Sequence, residues 1–199
     1  MTPKLLFGLL SLIPAAIAYY LYFRAMFGGK IKPHAFSWFV WGMLSGIGFL
    51  TQVSAHGGIG TWATGITSLA SLTIACFALR IGGTKPTRFD WALLTLALTG
   101  IFLLFVVNNH VIALWLTLFA LVAGFAMNIR KAWYKPREEN ATAFLLNTFK
   151  FVPAIAALAS FTFLTVAYPL VAAAGNAAIW FVVFSRTKRL AAVGNVAEG

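Results

Sequence analysis

The sequence predicts an all-α membrane protein with seven transmembrane helices. Of its 199 residues, 61% are hydrophobic and 10% are charged, whereas a soluble domain carries about 25% charged residues. Only 4 acidic residues accompany 15 basic ones, and aromatic residues make up 16% of the chain. A water-soluble fold cannot cover so much apolar surface with so few charges, and disordered chains are polar and poor in aromatics. Water-soluble globular proteins and disordered chains are therefore excluded.

Seven apolar stretches are predicted to span the bilayer, because a helix needs about 20 mostly apolar residues to cross it. The predicted spans are roughly 5–27, 36–55, 61–80, 90–107, 111–130, 143–160 and 162–185. Short segments rich in Gly, Pro, Lys, Asn or His separate them. The last two spans join near Ser160, where their combined length demands a turn. The first span begins like a secretory signal, but its apolar run continues through residues 19–23 and predicts a retained helix.

The basic residues indicate the orientation of the chain. All of the 15 Lys and Arg residues except Lys4 and Lys150 lie on alternate connections or after the last span. The positive-inside rule therefore predicts an N-terminus outside and a C-terminus in the cytoplasm. An even number of spans would destroy this segregation. Apolar spans separate the basic clusters, so they form no continuous stripe of the kind that binds nucleic acid, and we expect no nucleic-acid partner.

Spans one to three align with spans five to seven at an offset of about 105 residues. The alignment brings together Arg24 with Arg130, Pro33 with Pro136, and Phe36 with Phe144. The fourth span is apolar on every face, as expected of a lipid-exposed linker that restores the chain direction. The sequence thus predicts two parallel three-helix repeats, a plan found among transporters. The expected divisions are a first repeat at 1–82, a linker helix at 83–110, a second repeat at 111–185 and a cytoplasmic tail at 186–199.

This 3+1+3 arrangement resembles the SWEET and PQ-loop superfamily. The segment 130–141 is similar to the connection after the first helix of such a triplet, and Asn176 is similar to the central asparagine of the SWEET sugar pathway. The chain has no Pro-Gln pair, and Ser71 stands where the first triplet would match Asn176. The resemblance implies a transporter of a small polar metabolite such as a sugar or vitamin-like solute. The alternative that it implies is a receptor or assembly module that does not transport.

Polar and aromatic residues inside the spans are the predicted substrate contacts. They are Trp41, Gln52, Ser71, Asn147, Lys150, Asn176 and Trp180. In hydrocarbon, such groups face the bundle interior or a water-filled cavity. Amides, hydroxyls and indole rings suit a neutral polyhydroxylated or heterocyclic solute. The alternative is structural, because hydroxyls also form helix-packing seams and amides also bond neighbouring helices.

Lys150 has two interpretations. It is predicted to lie roughly 10 Å into the sixth span at 1.5 Å per residue, where a cation is expensive. It either binds an anionic or carbonyl-bearing solute or extends along its helix to reach the headgroups. No Asp or Glu lies in the spans except Asp90 at the mouth of the fourth. The lack of an interior carboxylate relay favours passive alternating access over proton-driven transport.

Enzymatic activity has little support in the sequence. His34, His56 and His110 do not cluster, and no zinc-protease, phosphate-loop or nucleophile motif occurs. We therefore expect no catalytic residue, metal or cofactor.

Cys76 is the only cysteine, and we expect it to be a small buried hydrophobe. The expected partners are a small-molecule solute and the lipid bilayer, and formation of a homo-oligomer is left as an alternative. The expected location is a bacterial inner membrane.

Overall fold

The computed structural model describes residues 2–29, 33–81 and 86–197. Within these ranges the chain forms seven α-helices and two short 3-10 turns, Gly58–Thr61 and Pro136–Glu138. The helices are α1 (Pro3–Phe27), α2 (Ala35–Ser54), α3 (Trp62–Ile81), α4 (Arg88–Phe105), α5 (His110–Tyr134), α6 (Ala141–Ala156) and α7 (Phe163–Ala197). All of them except α6 are long and apolar enough to cross a membrane. The chain is therefore an all-helical, multi-pass membrane protein.

Polar side chains fix where several helices begin, since the first N–H groups of a helix lack intrahelical partners. Thr2 caps α1, Asn109 caps α5 and Asn140 caps α6 through their side-chain oxygens. At the start of α4, Thr87 and Asp90 form a reciprocal capping box. The helix α6 has only 16 residues, and the non-helical residues 157–162 provide the turn expected near Ser160.

The start of α1 and the last part of α7 lie at opposite ends of the helix bundle. At one end, which we call the amino-terminal end, Lys4 Nζ donates to the Ala159 carbonyl at 3.1 Å. At the other, Arg186 Nε donates to the Trp133 carbonyl at 3.2 Å. We call this second end the basic end, because most of the described basic residues flank the helices there. They are Arg24, Arg80, Arg88, Arg130, Lys131, Lys135, Arg137, Arg186, Lys188 and Arg189.

The helices before and after α4 pack in the same order. Among α1–α3, α3 packs against both α1 and α2, and among α5–α7, α7 packs against both α5 and α6. The two groups meet chiefly where α1 packs against α6 and where α2 packs against α5 and α7. The boundary between the two groups is therefore formed chiefly by α1, α2, α5, α6 and α7, with a smaller contact between α3 and α6.

One prediction of burial is wrong, because Cys76 lies exposed on α3 instead of being buried. The helix α4 keeps large apolar side chains exposed, such as Trp91, Leu98 and Phe102. It also packs against α2 and α5 and buries a stripe at helical spacing that was not predicted: Leu93, Ala97, Gly100 and Leu104. The error at Cys76 and the unpredicted stripe have the same physical cause. Lipid-facing and core-facing residues of a membrane helix are equally apolar, so hydrophobicity does not distinguish the two faces.

Candidate functional site

Lys150 lies in the interior of the bundle and forms the centre of a polar cluster. Its side chain is 1% exposed. Its Nζ donates to Asn147 Oδ1 at 2.7 Å, one turn earlier on α6, and makes a longer contact of 3.5 Å with the Tyr19 hydroxyl of α1. The ammonium therefore leans toward the start of α6 but stays buried, and it does not extend to the headgroups.

The ring faces around this ammonium come from two helices. Lys150 Nζ lies 5.1 Å from the centroid of the Tyr19 ring and 4.9 Å from that of Phe151. A cation over an aromatic face is attracted by the negative charge of the ring's π-system. The ammonium is thus held by one short hydrogen bond, one long one and two ring faces, all of them uncharged.

The hydroxyl groups of α3 complete the cluster. The hydroxyls of Thr67 and Ser71 lie near the Tyr19 hydroxyl, and the Thr67 hydroxyl donates to the Ala63 carbonyl of its own helix at 2.6 Å. We use the name Lys150 cluster for Lys150, Asn147, Tyr19, Thr67 and Ser71. It joins α6 to α1 and α3, so it lies between the helices that precede α4 and those that follow it. The sequence contains no Asp or Glu in α1, α3 or α6.

A second polar contact connects α2 to α7. The Tyr168 hydroxyl donates to Ser45 Oγ at 2.9 Å, and Ser45 donates in turn to the Trp41 carbonyl at 2.7 Å. The Tyr168 ring lies directly on Gly48, where an added Cβ would come within 2.5 Å of ring atom Cδ2. Only glycine permits this approach, so Gly48 determines how closely α2 and α7 pack.

Trp41 itself faces α5. Its ring centroid lies 5.4 Å from that of Phe125 at an interplanar angle of 56°. An added Cβ on Gly124 would come within 3.0 Å of the indole ring. The indole is therefore already packed between α2 and α5, and a solute could stack on it only after those helices separate.

Gln52 lies near the amino-terminal end and is fully buried. Its Nε2 donates to the Thr165 carbonyl at 2.7 Å, which connects α2 to the start of α7. Its Oε1 has no hydrogen-bond partner among the described residues. A buried acceptor without a partner is costly, and this oxygen is available to a donor that enters between α2 and α7.

Hydrogen bonds between two connections close the amino-terminal end. The Ala159 N–H donates to the Gly57 carbonyl at 2.9 Å, and the Ser160 hydroxyl donates to the Ala55 carbonyl at 2.6 Å. Gly58 has a φ of +67°, which favours glycine, and its position directly against Ala159 brings the connections into contact. These hydrogen bonds thus hold the α2–α3 connection against the α6–α7 connection.

The remaining predicted contacts lie apart from the Lys150 cluster. Asn176 is 9% exposed and donates from Nδ2 to the Ala172 carbonyl of its own helix at 2.7 Å. Trp180 stacks on Phe184, one turn further along α7, with a centroid separation of 5.5 Å. Of the seven predicted residues, the structure brings together Asn147, Lys150 and Ser71, and Tyr19 is the residue that joins them.

Sequence reasoning missed Tyr19 and Tyr168. Tyr19 belongs to an aromatic run that is typical of a membrane interface. However, the buried residues Gly8, Ser11 and Ala15 of α1 precede it at helical spacing, and this stripe predicts an inward-facing position at residue 19. No comparable signal marked Tyr168, because its inward position depends on the glycine that faces it from α2.

Two surface depressions include no residue of the Lys150 cluster. One, of about 500 Å³, is lined by α1 residues Leu21, Arg24, Ala25 and Gly28. The other, of about 510 Å³, is an apolar groove between α5 and α7 beside Trp115 and Phe163.

Among the described residues, no three His, Cys, Asp or Glu side chains come close enough to hold a metal ion. No family model, curated protein or solved structure matches the chain.

Proposed function

We propose that the chain is a transporter of a small polar metabolite that works by passive alternating access. The observation that carries the proposal is the position of the Lys150 cluster. Its members come from α1 and α3 on one side and from α6 on the other. Ionisable groups inside a membrane are expensive, and they mark substrate and ion pathways.

The helix order supports a two-repeat, SWEET-like plan. The first helices of the two groups, α1 and α5, each have 25 residues. In each group the third helix packs between the first two. Parallel repeats that rock against each other around a central site are a recurrent transporter design. Under the positive-inside rule the basic end is cytoplasmic and the amino-terminal end is outside, and we propose the inner membrane of a bacterium as the location.

The bonded connections at the amino-terminal end fit one state of such a cycle. The α2–α3 and α6–α7 connections are equivalent segments of the two proposed repeats, and they are fastened through Gly57, Ala159 and Ser160. Alternating access requires these bonds to break when the site opens to the outside. We therefore assign the structure to a state that is closed at the outer face.

The charge distribution favours uncoupled transport. No Asp or Glu occurs in α1, α2, α3, α5, α6 or α7, and Asp90 lies in the first turn of α4 with Thr87 and Ser37 as its partners. A carboxylate that carries a proton across the bilayer is the usual device of proton-driven carriers. Solute gradients alone are then the driving force that we propose.

A non-transporting receptor or assembly module is the second candidate. It is favoured by the way the interior groups bond to one another: Tyr168 to Ser45, Gln52 to Thr165, and Asn176 to its own helix. In such a protein these bonds would stabilise a fixed bundle. A solute would then have no path to follow.

Uptake into proteoliposomes separates the two candidates. The purified chain is reconstituted and tested with a labelled sugar, nucleoside, vitamin and carboxylate, in wild type and in Asn147→Leu. Thr95→Val is the matched control, because Thr95 is exposed on α4 and bonds only within its own helix. The proposal expects saturable uptake that Asn147→Leu removes and Thr95→Val retains. Uptake no faster than in empty liposomes across the panel, by a folded protein, would favour the second candidate.

A further inference from the structure

We infer that the Lys150 cluster recognises a carboxylate, so that the solute is a small organic monoanion. This inference rests on the proposed function, because it names the substrate class of the same site. It differs from the neutral sugar or vitamin-like solute that the sequence pattern favours. The argument depends on the charge of the cluster, on its set of donors and on its surroundings.

The cluster holds one lysine amine without a described counter-ion, and protonation gives it a single positive charge. Lys150 is 1% exposed, and its polar contacts are the neutral oxygens of Asn147 and Tyr19. No Asp or Glu occurs in the three helices that form the cluster. A buried ammonium is expensive unless it is paired with an anion. A carboxylate on the solute would supply the missing negative charge.

The ammonium also has hydrogen-bonding capacity left over. An ammonium has three N–H donors, and the described residues offer one oxygen at 2.7 Å and one at 3.5 Å. The remaining neighbours are the ring faces of Tyr19 and Phe151, which accept no conventional hydrogen bond. A carboxylate oxygen would bind this donor more strongly than a neutral hydroxyl would, because opposite charges attract each other strongly in a low-dielectric interior.

The other groups of the cluster are hydroxyls and an amide. The hydroxyls of Tyr19 and Ser71 can each donate, as can the amide of Asn147, whereas the Thr67 hydroxyl already donates to the Ala63 carbonyl of its own helix at 2.6 Å. Together with the ammonium they can surround both oxygens of one carboxylate from α1, α3 and α6. A single cation balances a single negative charge, whereas a dianion would leave net charge in a low-dielectric interior. The charge of the cluster therefore favours a monoanion.

Binding requires the cluster to open. Lys150 Nζ is only 2.7 Å from Asn147 Oδ1, and the neighbouring Phe151 is buried at 2% exposure. A carboxylate enters only when α6 moves away from α1 and α3. The solute then replaces Asn147 and Tyr19 as the partners of the ammonium, which couples binding to the motion that alternating access requires.

The test compares carboxylates with their uncharged amides. Thermal unfolding of the purified full chain in detergent is measured with lactate and lactamide, nicotinate and nicotinamide, and benzoate and benzamide. Sodium chloride at matched concentration controls for general salt effects. We expect at least one carboxylate to raise the unfolding temperature by several degrees at saturating concentration, and its amide to have no effect. Equal shifts for both members of a pair would overturn the inference.

Variants then assign the effect to Lys150. Lys150→Gln should lose the carboxylate shift, Lys150→Arg should retain it, and Lys188→Gln at the exposed end of α7 is the matched control. A carboxylate shift that persists in Lys150→Gln would overturn the inference. If Lys150→Gln does not fold, the comparison of carboxylate with amide in wild type decides alone.

Failure of the inference differs from failure of the proposed function. Uptake of a neutral solute into proteoliposomes, with no carboxylate shift, overturns the anion specificity but leaves transport standing. Absence of both uptake and any shift, in a folded protein, overturns both. Carboxylate uptake that Lys150→Gln abolishes supports both.

Discussion

Replacing Lys150 by methionine should stabilise the protein while removing its function. The ammonium is 1% exposed and has only neutral partners, and a lysine at the centre of a membrane helix costs about 3 kcal/mol. Methionine removes that penalty and has a similar length. It also removes the bond to Asn147, worth about 1 kcal/mol, and ring contacts worth about 0.5 kcal/mol. The balance is a gain of about 1–2 kcal/mol in the free energy of unfolding.

A double-mutant cycle checks this reasoning. Asn147→Leu alone should destabilise by about 1–3 kcal/mol, because it leaves the buried ammonium without its short hydrogen bond. The same substitution in a Lys150→Met background should be close to neutral, since no charge remains to satisfy. The free energies are measured by reversible unfolding in mixed micelles with increasing SDS. If Lys150→Met destabilises by 1 kcal/mol or more, Lys150 is a structural residue and the reasoning is refuted.

Two further predictions concern the contact between α2 and α7. Gly48→Ala should destabilise by about 1–3 kcal/mol, because its Cβ would lie within 2.5 Å of the Tyr168 ring. At Gly46 the nearest atom is the Ser68 hydroxyl oxygen at 3.2 Å, which needs to shift by only a few tenths of an ångström. In the same unfolding assay Gly46→Ala should therefore be tolerated, and equal effects at both glycines would contradict this packing. Tyr168→Phe should lose about 0.5–1.5 kcal/mol by deleting the bond to Ser45, and an unchanged midpoint would mean that the bond contributes nothing.

The sequence was sufficient to locate seven helices, although α6 is shorter than its predicted span, but it was not sufficient to predict the faces that the helices bury. Length and hydrophobicity locate membrane helices because the bilayer thickness constrains both. The turn near Ser160 was predicted for the same reason, since the combined run was too long for one span. The burial of α4 and the exposure of Cys76 were not predicted, because lipid and protein interior demand equally apolar residues.

The composition of the Lys150 cluster was predicted only in part. Polarity alone selected Lys150, Asn147 and Ser71, because polar groups avoid lipid wherever they lie along the chain. The group that joins them, Tyr19, lies on a helix far away in sequence. Whether Lys150 faces inward or toward the headgroups depends on how α6 packs against α1. A periodicity within one helix carries no information about that contact.

The most direct test of the proposed mechanism is to lock the amino-terminal end. The Cβ of a residue at position 58 would lie 2.7 Å from that of Ala159, so Gly58→Cys with Ala159→Cys can form a disulfide once the connections shift by about 1 Å. The variant is made in Cys76→Ser, and Gly58→Cys alone controls for oxidant and backbone strain. Uptake into proteoliposomes should stop on oxidation and return on reduction. Uptake that continues unchanged through a fully formed cross-link would contradict alternating access between the two groups of helices.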